Sequence, residues 1–264
     1  MTTREPLPPI VLSLSGHDPT GGAGIQADIE AIGATGCRAS TVITALTVQD
    51  TSNVYAVQPQ SPAAFLAQGR ALIRDLPVAA VKIGLLGSAG IARGVAALLD
   101  ELGRRVPVVL DPVLAAGGGT DLASEELIEA VRTELLPRAV LVTPNVPEAA
   151  RLGGGATETE HVERLRRLGC PNVLVTGTHA PTDDVLNRLY SPQGRRDYRW
   201  PRLPHSYHGS GCTLAACVAG HLALGYAMES AVERAQRLTW QSLRAGWNPG
   251  GGQHLPDRSP FRRC

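Results

Sequence analysis

The stretch Ile10-Val11-Leu12-Ser13-Leu14-Ser15, running into Gly16-His17-Asp18-Pro19-Thr20-Gly21-Gly22-Ala23-Gly24, decides the fold class. A short apolar run bounded by glycine reads as a buried strand. The residues from about Ile25 to Ala34 then read as a helix. A strand, a glycine-rich loop and a helix together form the ligand-binding unit of open α/β sheets. The spacing is not G-x-G-x-x-G, so the dinucleotide fingerprint is absent. Taken alone, the loop is equally a glycine-rich turn with no ligand.

Outward from this unit the same alternation recurs. Strands are expected at Ala39–Val48, Val54–Val57 (an edge), Ala79–Ile83, Val106–Leu110, Ala139–Val142 and Val173–Thr176. Helices are expected from Pro62 to about Arg74, Ser88 to about Leu102, Ser124 to about Leu136, and Thr157 to Leu168. Val185–Tyr190 and Arg195–Trp200 flank Ser191-Pro192-Gln193-Gly194 as a hairpin. A helix running to about Leu224 and another over Ser230–Ala245 follow. Repeated β-α units predict a mainly parallel sheet with helices on both faces. With no repeat and no long linker, residues 1–264 form one domain. Met1–Pro9 reads as a loose tail, Gly117-Gly118-Gly119 as a flexible loop, and the segment from Pro249 onward as irregular.

Composition narrows the function. Hydrophobic residues make up 43% and aromatics only 4%, which predicts an aliphatic core. A net charge of +1 with no run of one sign argues against nucleic acid. Arg164, Arg166 and Arg167 read as a solvated helix face. No apolar run reaches the length of a membrane helix. The five cysteines, Cys37, Cys170, Cys212, Cys217 and Cys264, contain no C-x-x-C pair, so no zinc site is expected. Their odd number, without a signal peptide, points to a reducing cytoplasm. Lys82 is the only lysine among 25 basic residues, and Ile83 follows it, so there is no P-loop. A charge inside a buried strand requires a partner, and Lys82 is expected to pair with a carboxylate.

A second glycine turn, His208-Gly209-Ser210-Gly211-Cys212-Thr213-Leu214-Ala215-Ala216, leads into an alanine-rich helix. The free N–H groups of a helix N-terminus bind phosphate or an oxyanion, and a thiol there is expected to ionise more easily. The alternative is a capping turn with Cys212 as a core residue. Asp111, ending a strand before Pro112, lies where open sheets bind ligands or simply caps a turn. Asn145 and Glu148 share a helical face, or form a capping box.

Six segments in order resemble the hydroxymethylpyrimidine and phosphomethylpyrimidine kinases of thiamine biosynthesis. They are Gly16 to Asp28, Val42 to Thr51, Lys82-Ile83-Gly84-Leu85-Leu86, Leu110-Asp111-Pro112-Val113, Thr143 to Ala149, and His208 to Leu214. That family is ribokinase-like, and the resemblance implies a three-layer α/β/α sandwich. It also implies phosphorylation by ATP and Mg²⁺ of an aminopyrimidine alcohol and then of its monophosphate. A dimer is the favoured assembly.

Carried over by position, Cys212 is the base and the N–H groups of Gly209 to Cys212, with Gly211, are the anion hole. Gly16, Asp28, Gln49, Leu85 and Val113 contact the pyrimidine. Asp111 and Glu148 face the metal. Asn145, Glu148, Thr176, Gly177, Ser210 and Thr213 face the nucleotide. Leu85 stands where many members have Met, Ala116 where Lys or Ser is frequent, and Thr176-Gly177-Thr178-His179 where many have Lys-Gly-Gly-His. The last change removes a phosphate-facing charge. The rivals are a pyridoxal kinase, a non-catalytic pyrimidine binder, and a cysteine hydrolase using His208. A primary amide at Gln49 suits the amino group and ring nitrogen of an aminopyrimidine.

Overall fold

The computed structural model describes residues 7–103, 106–116, 119–177 and 182–259. Residues 1–6 of the expected tail, Gly117 and Gly118, Thr178 and His179, and Cys264 lie outside the described residues.

Apolar β-branched runs build a nine-stranded sheet in the order β3-β2-β1-β4-β5-β6-β7-β8-β9. The strands are β1 (Ile10–His17), β2 (Arg38–Gln49), β3 (Val54–Pro59), β4 (Val78–Ile83), β5 (Val108–Leu110), β6 (Leu141–Val142), β7 (Asn172–Val175), β8 (Asp184–Ser191) and β9 (Gly194–Pro201). β2, β1, β4, β5, β6 and β7 run parallel. β3 at one end and the β8–β9 hairpin at the other are antiparallel. β1 sits between β2 and β4, so the chain reverses its direction of travel there. That switch point is where open α/β sheets bind ligands.

Alternate residues of each strand face two separate cores. Leu12, Leu14, Val81, Ile83 and Leu110 pack against α2 (Pro62–Asp75), α3 (Ala89–Leu102), α4 (Glu125–Ala130), α5 (Val146–Gly153) and α6 (Glu158–Arg167). Val11, Ala80, Val109, Leu141 and Leu174 pack against α1 (Gly24–Ala34), α7 (Ser210–Ala223) and α8 (Met228–Arg244). The result is the expected three-layer sandwich.

Local differences have local causes. β5 starts at Val108, since Pro107 has no N–H for the ladder. The helix expected to run to Leu136 ends at Ala130 and continues as a π turn over Val131–Leu135 and a 3₁₀ turn over Leu136–Arg138. Pro137 cannot supply an α-helical hydrogen bond there. The C-terminal segment is not merely irregular. It bridges to Tyr207 and Trp247 and buries Leu255 and Arg258.

Period two also explains Lys82. Ser13 and Lys82 are register partners on β1 and β4, and both project toward the α1/α7 layer. There Lys82 Nζ lies 2.9 Å from both carboxylate oxygens of Asp28 on α1, and Ser13 Oγ donates to the same carboxylate at 2.6 Å. Lys82 and Asp28 are fully buried. Burial opposes the Lys82 charge, but Asp28, with Cys212 and Asp111, holds the ammonium above the ordinary lysine range. The pair ties α1 to the sheet directly beneath the first glycine loop.

Lys82→Met strands the Asp28 charge in the core, and it should cost about 3–5 kcal/mol in urea unfolding. Lys82→Met combined with Asp28→Leu should recover most of that loss. A single variant that unfolds at the parent's midpoint would refute the pairing.

Candidate active site

Two glycine loops meet at the carboxyl edge of the sheet. In the first, Asp18 accepts from the N–H of Thr20 at 2.8 Å, from its hydroxyl at 2.9 Å, and from the N–H of Ala23 at 2.7 Å. An Asp-Pro-Thr-Gly sequence suits such a side-chain-closed turn. In the second, Gly209 caps α7 with φ of +75°, a left-handed conformation that glycine adopts without strain. A Cβ on Gly209 would collide with the Gly22 carbonyl oxygen, and one on Gly24 with that of Gly16. The loops therefore touch backbone to backbone.

His208 Nε2 lies 2.9 Å from Asp18 Oδ2 and joins the loops from one side. Burial works to raise the Asp18 carboxyl, but the hydrogen bond and charge of His208 and the bonds from Thr20 bring it below the ordinary range. Among the described residues no hydrogen bond joins His208 to Cys212, so the arrangement of a cysteine hydrolase is absent.

A cleft of about 560 Å³ opens over these loops. Gly16, Gln49, Leu85 and Val113 line it on the side of β1, β2 and β4. Asp111, Asn145, Glu148 and Thr176 line it at the ends of β5, β6 and β7, and Gly209, Ser210, Gly211 and Cys212 form the first turn of α7 beside them. The Gln49 amide makes no hydrogen bond to other described residues, so it does not simply brace nearby backbone. The far end of the cleft carries Asn187, Trp200, Gln236 and Trp240. There Gln236 Oε1 accepts from Asn187 at 2.8 Å and from Trp200 at 3.1 Å, while its buried Nε2 has no partner among the described residues.

Three expected residues are not in the lining. Asp28 is locked beneath the floor by Lys82, because a carboxylate on the inner face of α1 meets the strand lysine before it can reach the cleft. Thr213 faces away and donates to the Gly209 carbonyl at 2.8 Å. Gly177 gives its N–H to Asn187 Oδ1 at 3.1 Å and lies against the β8 backbone.

The acidic end is tightly built. Asn145 and Glu148 form a capping box, with both reciprocal bonds at 2.9 Å, and Glu148 also accepts from the N–H of Leu114 at 3.2 Å. The capping box forms, and both residues also line the cleft. Burial, and then the like charge of Asp111, push the Glu148 carboxyl up to about 7. Burial likewise raises Asp111, against the pull of Lys82. Asp111 Oδ2 is buried without a hydrogen-bond partner among the described residues, and both Asp111 oxygens would stand 3.8 Å from a Cβ on Gly211.

Cys212 departs from expectation. Its thiol is pushed up to about 12, because burial outweighs the Lys82 charge, while Asp111 and Asp28 oppose ionisation further. The thiol keeps its proton beside the Asp111 carboxylate. Reading a helix N-terminus from sequence accounts for the dipole but not for complete desolvation.

The sequence profile of the phosphomethylpyrimidine kinase family matches residues 18–257. The chain belongs to the phosphomethylpyrimidine kinase family. It is a phosphotransferase, and the resemblance read from six segments holds over the whole fold. It is 38% identical over 262 residues to the hydroxymethylpyrimidine/phosphomethylpyrimidine kinase of Streptomyces coelicolor, covering 96% of each. It is 39% identical over 260 residues to the thiamine biosynthesis bifunctional protein ThiED of Geobacter sulfurreducens, covering 96% of this chain but 53% of that longer protein. Among solved structures it is similar to the pyridoxal kinase of Staphylococcus aureus, in complexes with pyridoxal and with ADP. Each gives a TM-score of 0.88 at 26% identity, over 98% of this chain and 96% of that one. Among the described residues no helix is long and apolar enough to cross a membrane.

Glu148 carries a pH signature. Its carboxyl rises from 4.5 to about 7 on folding, so the folded state binds the proton more tightly than the unfolded state. Stability should therefore fall as pH rises from about 4.5 to 7 and level off above. Glu148→Gln should remove up to about 1.4 kcal/mol per pH unit from that slope in denaturation series. Identical slopes for parent and variant would show that Glu148 is not the buried acid.

Proposed function

We propose that the chain transfers the γ-phosphoryl group of ATP to 4-amino-5-hydroxymethyl-2-methylpyrimidine and then to the resulting monophosphate, in the synthesis of thiamine diphosphate. The observation that carries this reading is a single cleft with three properties. It holds an uncommitted amide, Gln49, an anion-binding helix terminus at Gly209 to Cys212, and the acidic pair Asp111 and Glu148.

The roles follow from chemistry. Leu85 and Val113 would flank the ring, and Gln49 would read its amino group and ring nitrogen. The N–H groups of Gly209, Ser210 and Gly211 would stabilise charge on the phosphoryl group in flight, the main demand of this reaction. Asn145 and Thr176 would contact the phosphates. The aromatic end with Trp200, Trp240 and the unpartnered Gln236 nitrogen suits a purine. Cys212 would receive the proton of the substrate hydroxyl. Its own proton must leave before or with that transfer, and the neighbouring Asp111 carboxylate is the acceptor at hand.

The donor set suits Mg²⁺. Asp111 Oδ2 is an orphaned buried oxygen beside a second carboxylate, Glu148. No group of three or more potential ligand side chains occurs among the described residues, and Mg²⁺ is commonly held by one or two carboxylates together with substrate phosphates. When bound, the ion would neutralise phosphate charge. The buried free thiols of Cys37, Cys170, Cys212 and Cys217 suit a reducing cytoplasm. Exposed Leu46, Val48 and Tyr55 on β2 and β3 support a dimer through that edge.

The similarity to a pyridoxal kinase favours a second reading, in which pyridoxal is a substrate. Product analysis with Mg-ATP and each alcohol tests both. The aminopyrimidine alcohol should lead in kcat/KM by about tenfold, since one lost buried pairing is worth about 1–3 kcal/mol. Gln49→Leu should narrow the gap by hurting the pyrimidine alone. Equal losses on both substrates would remove Gln49 from recognition, and a parent that prefers pyridoxal would establish the second reading.

Cys212→Ala should slow turnover by about 10²- to 10⁴-fold, the usual worth of proton-transfer help. Cys212→Asp should retain measurable turnover. An alanine variant as fast as the parent would discard the proton-transfer role, and a phosphorylated Cys212 in mass spectra would replace it with a covalent one.

A further inference from the structure

Arg258 lies one residue past the stretch matched by the family profile, in a segment that local sequence patterns leave undefined. Its side chain is 1% exposed. The guanidinium reaches three elements at once. Nε donates to Thr213 Oγ1 at 2.7 Å, and that hydroxyl in turn donates to the Gly209 carbonyl at 2.8 Å. One terminal nitrogen donates to the Gly22 carbonyl, and the other to the Gly21 carbonyl at 3.4 Å and to Glu30 on α1 at 3.2 Å. Arg258 thus bridges the first glycine loop to the first turn of α7, behind the cleft and outside its lining.

The bridge bears on the chemistry. Gly22 precedes Ala23 and Gly24, and the backbone of Gly24 lies beside the Cys212 thiol. Gly209 opens the α7 turn whose N–H groups face the cleft, and it abuts Gly22 with no room for a side chain. A shift of one loop against the other would move the Cys212 sulfur and the anion hole together. His208 and Asp18 brace the loops from one side, and Arg258 is the brace behind them. A planar guanidinium with several fixed donors suits this task, whereas a lysine ammonium cannot span all three acceptors with the same geometry.

We propose that Arg258 is a positioning residue for phosphoryl transfer, clamping the two glycine loops in the register that holds the anion hole and Cys212 together against the first loop. This rests on the kinase reading above, and the test separates the two. Arg258→Ala should lower kcat by about 10- to 100-fold, the effect of a misplacement near 1 Å, with KM for both substrates nearly unchanged. Guanidinium chloride at low millimolar concentration should restore part of the lost kcat in Arg258→Ala and none in the parent. Thr213→Val, which cuts the link to α7 in nearly the same volume, should reproduce the loss. Glu30→Gln should keep the parent rate, because Glu30 touches neither loop.

Hydrogen exchange gives an activity-independent readout. Amides of residues 21–24 and 209–213 should exchange faster in Arg258→Ala, while those of α8 should not. Parent kcat in Arg258→Ala, or a loss that guanidinium leaves untouched together with parent kcat in Thr213→Val, overturns the proposal. A parent without kinase activity overturns the kinase reading, and the exchange arm then decides the clamp. If Arg258→Ala fails to fold, Thr213→Val decides by the same two readouts.

Discussion

The site depends on a steric constraint, the direct backbone contact between the loop after β1 and the loop before α7. With no Cβ at Gly209, two carbonyl-lined turns approach to distances that a side chain would block. The contact brings a helix N-terminus, a thiol and the carboxyl edge of the parallel sheet into one cleft. Much of the remaining polar structure near the cleft serves that approach. Asp18 closes the first turn and holds His208, and Arg258 holds both loops from behind.

Beneath the contact lies a layer of buried charge. Lys82 and Asp28 neutralise one another inside the α1/α7 layer, and their fields reach Asp111 and Cys212. Desolvation dominates at Asp111, Glu148 and Cys212, so the thiol and the cleft carboxyls hold protons more tightly than they would in water. A positive charge brought in beside Asp111 and Glu148 would offset the desolvation that keeps both carboxyls reluctant to ionise.

A polar amide with apolar walls lines the cleft on the side of β2, and two indoles line it on the side of β9 and α8. Asp111, Glu148 and Cys212 are carried by a strand end and by helix starts rather than by long loops. Rigid supports of this kind allow small side chains such as Cys212 to be placed by the backbone alone.

The sequence by itself determined the layers, the parallel sheet and the kinase family, because these follow from short-range periodicity and from motifs whose residues are contiguous. It also placed Gln49, Asp111, Asn145, Glu148 and Cys212 at strand ends and helix starts, where the cleft holds them. Only the tertiary structure decided which way each group faces and how much water it keeps. Asp28 pairs with Lys82, 54 residues away, and so leaves the lining. Thr213 and Gly177 turn from the cleft toward Gly209, Arg258 and β8. The Cys212 thiol is raised where a helix terminus alone would lower it, since desolvation sums over every element packed around the sulfur. Arg258 gained its partners from segments more than 200 residues away as well as from α7. Such contacts carry no local pattern, because the energy of a buried polar group is set by neighbours that only the folded chain supplies.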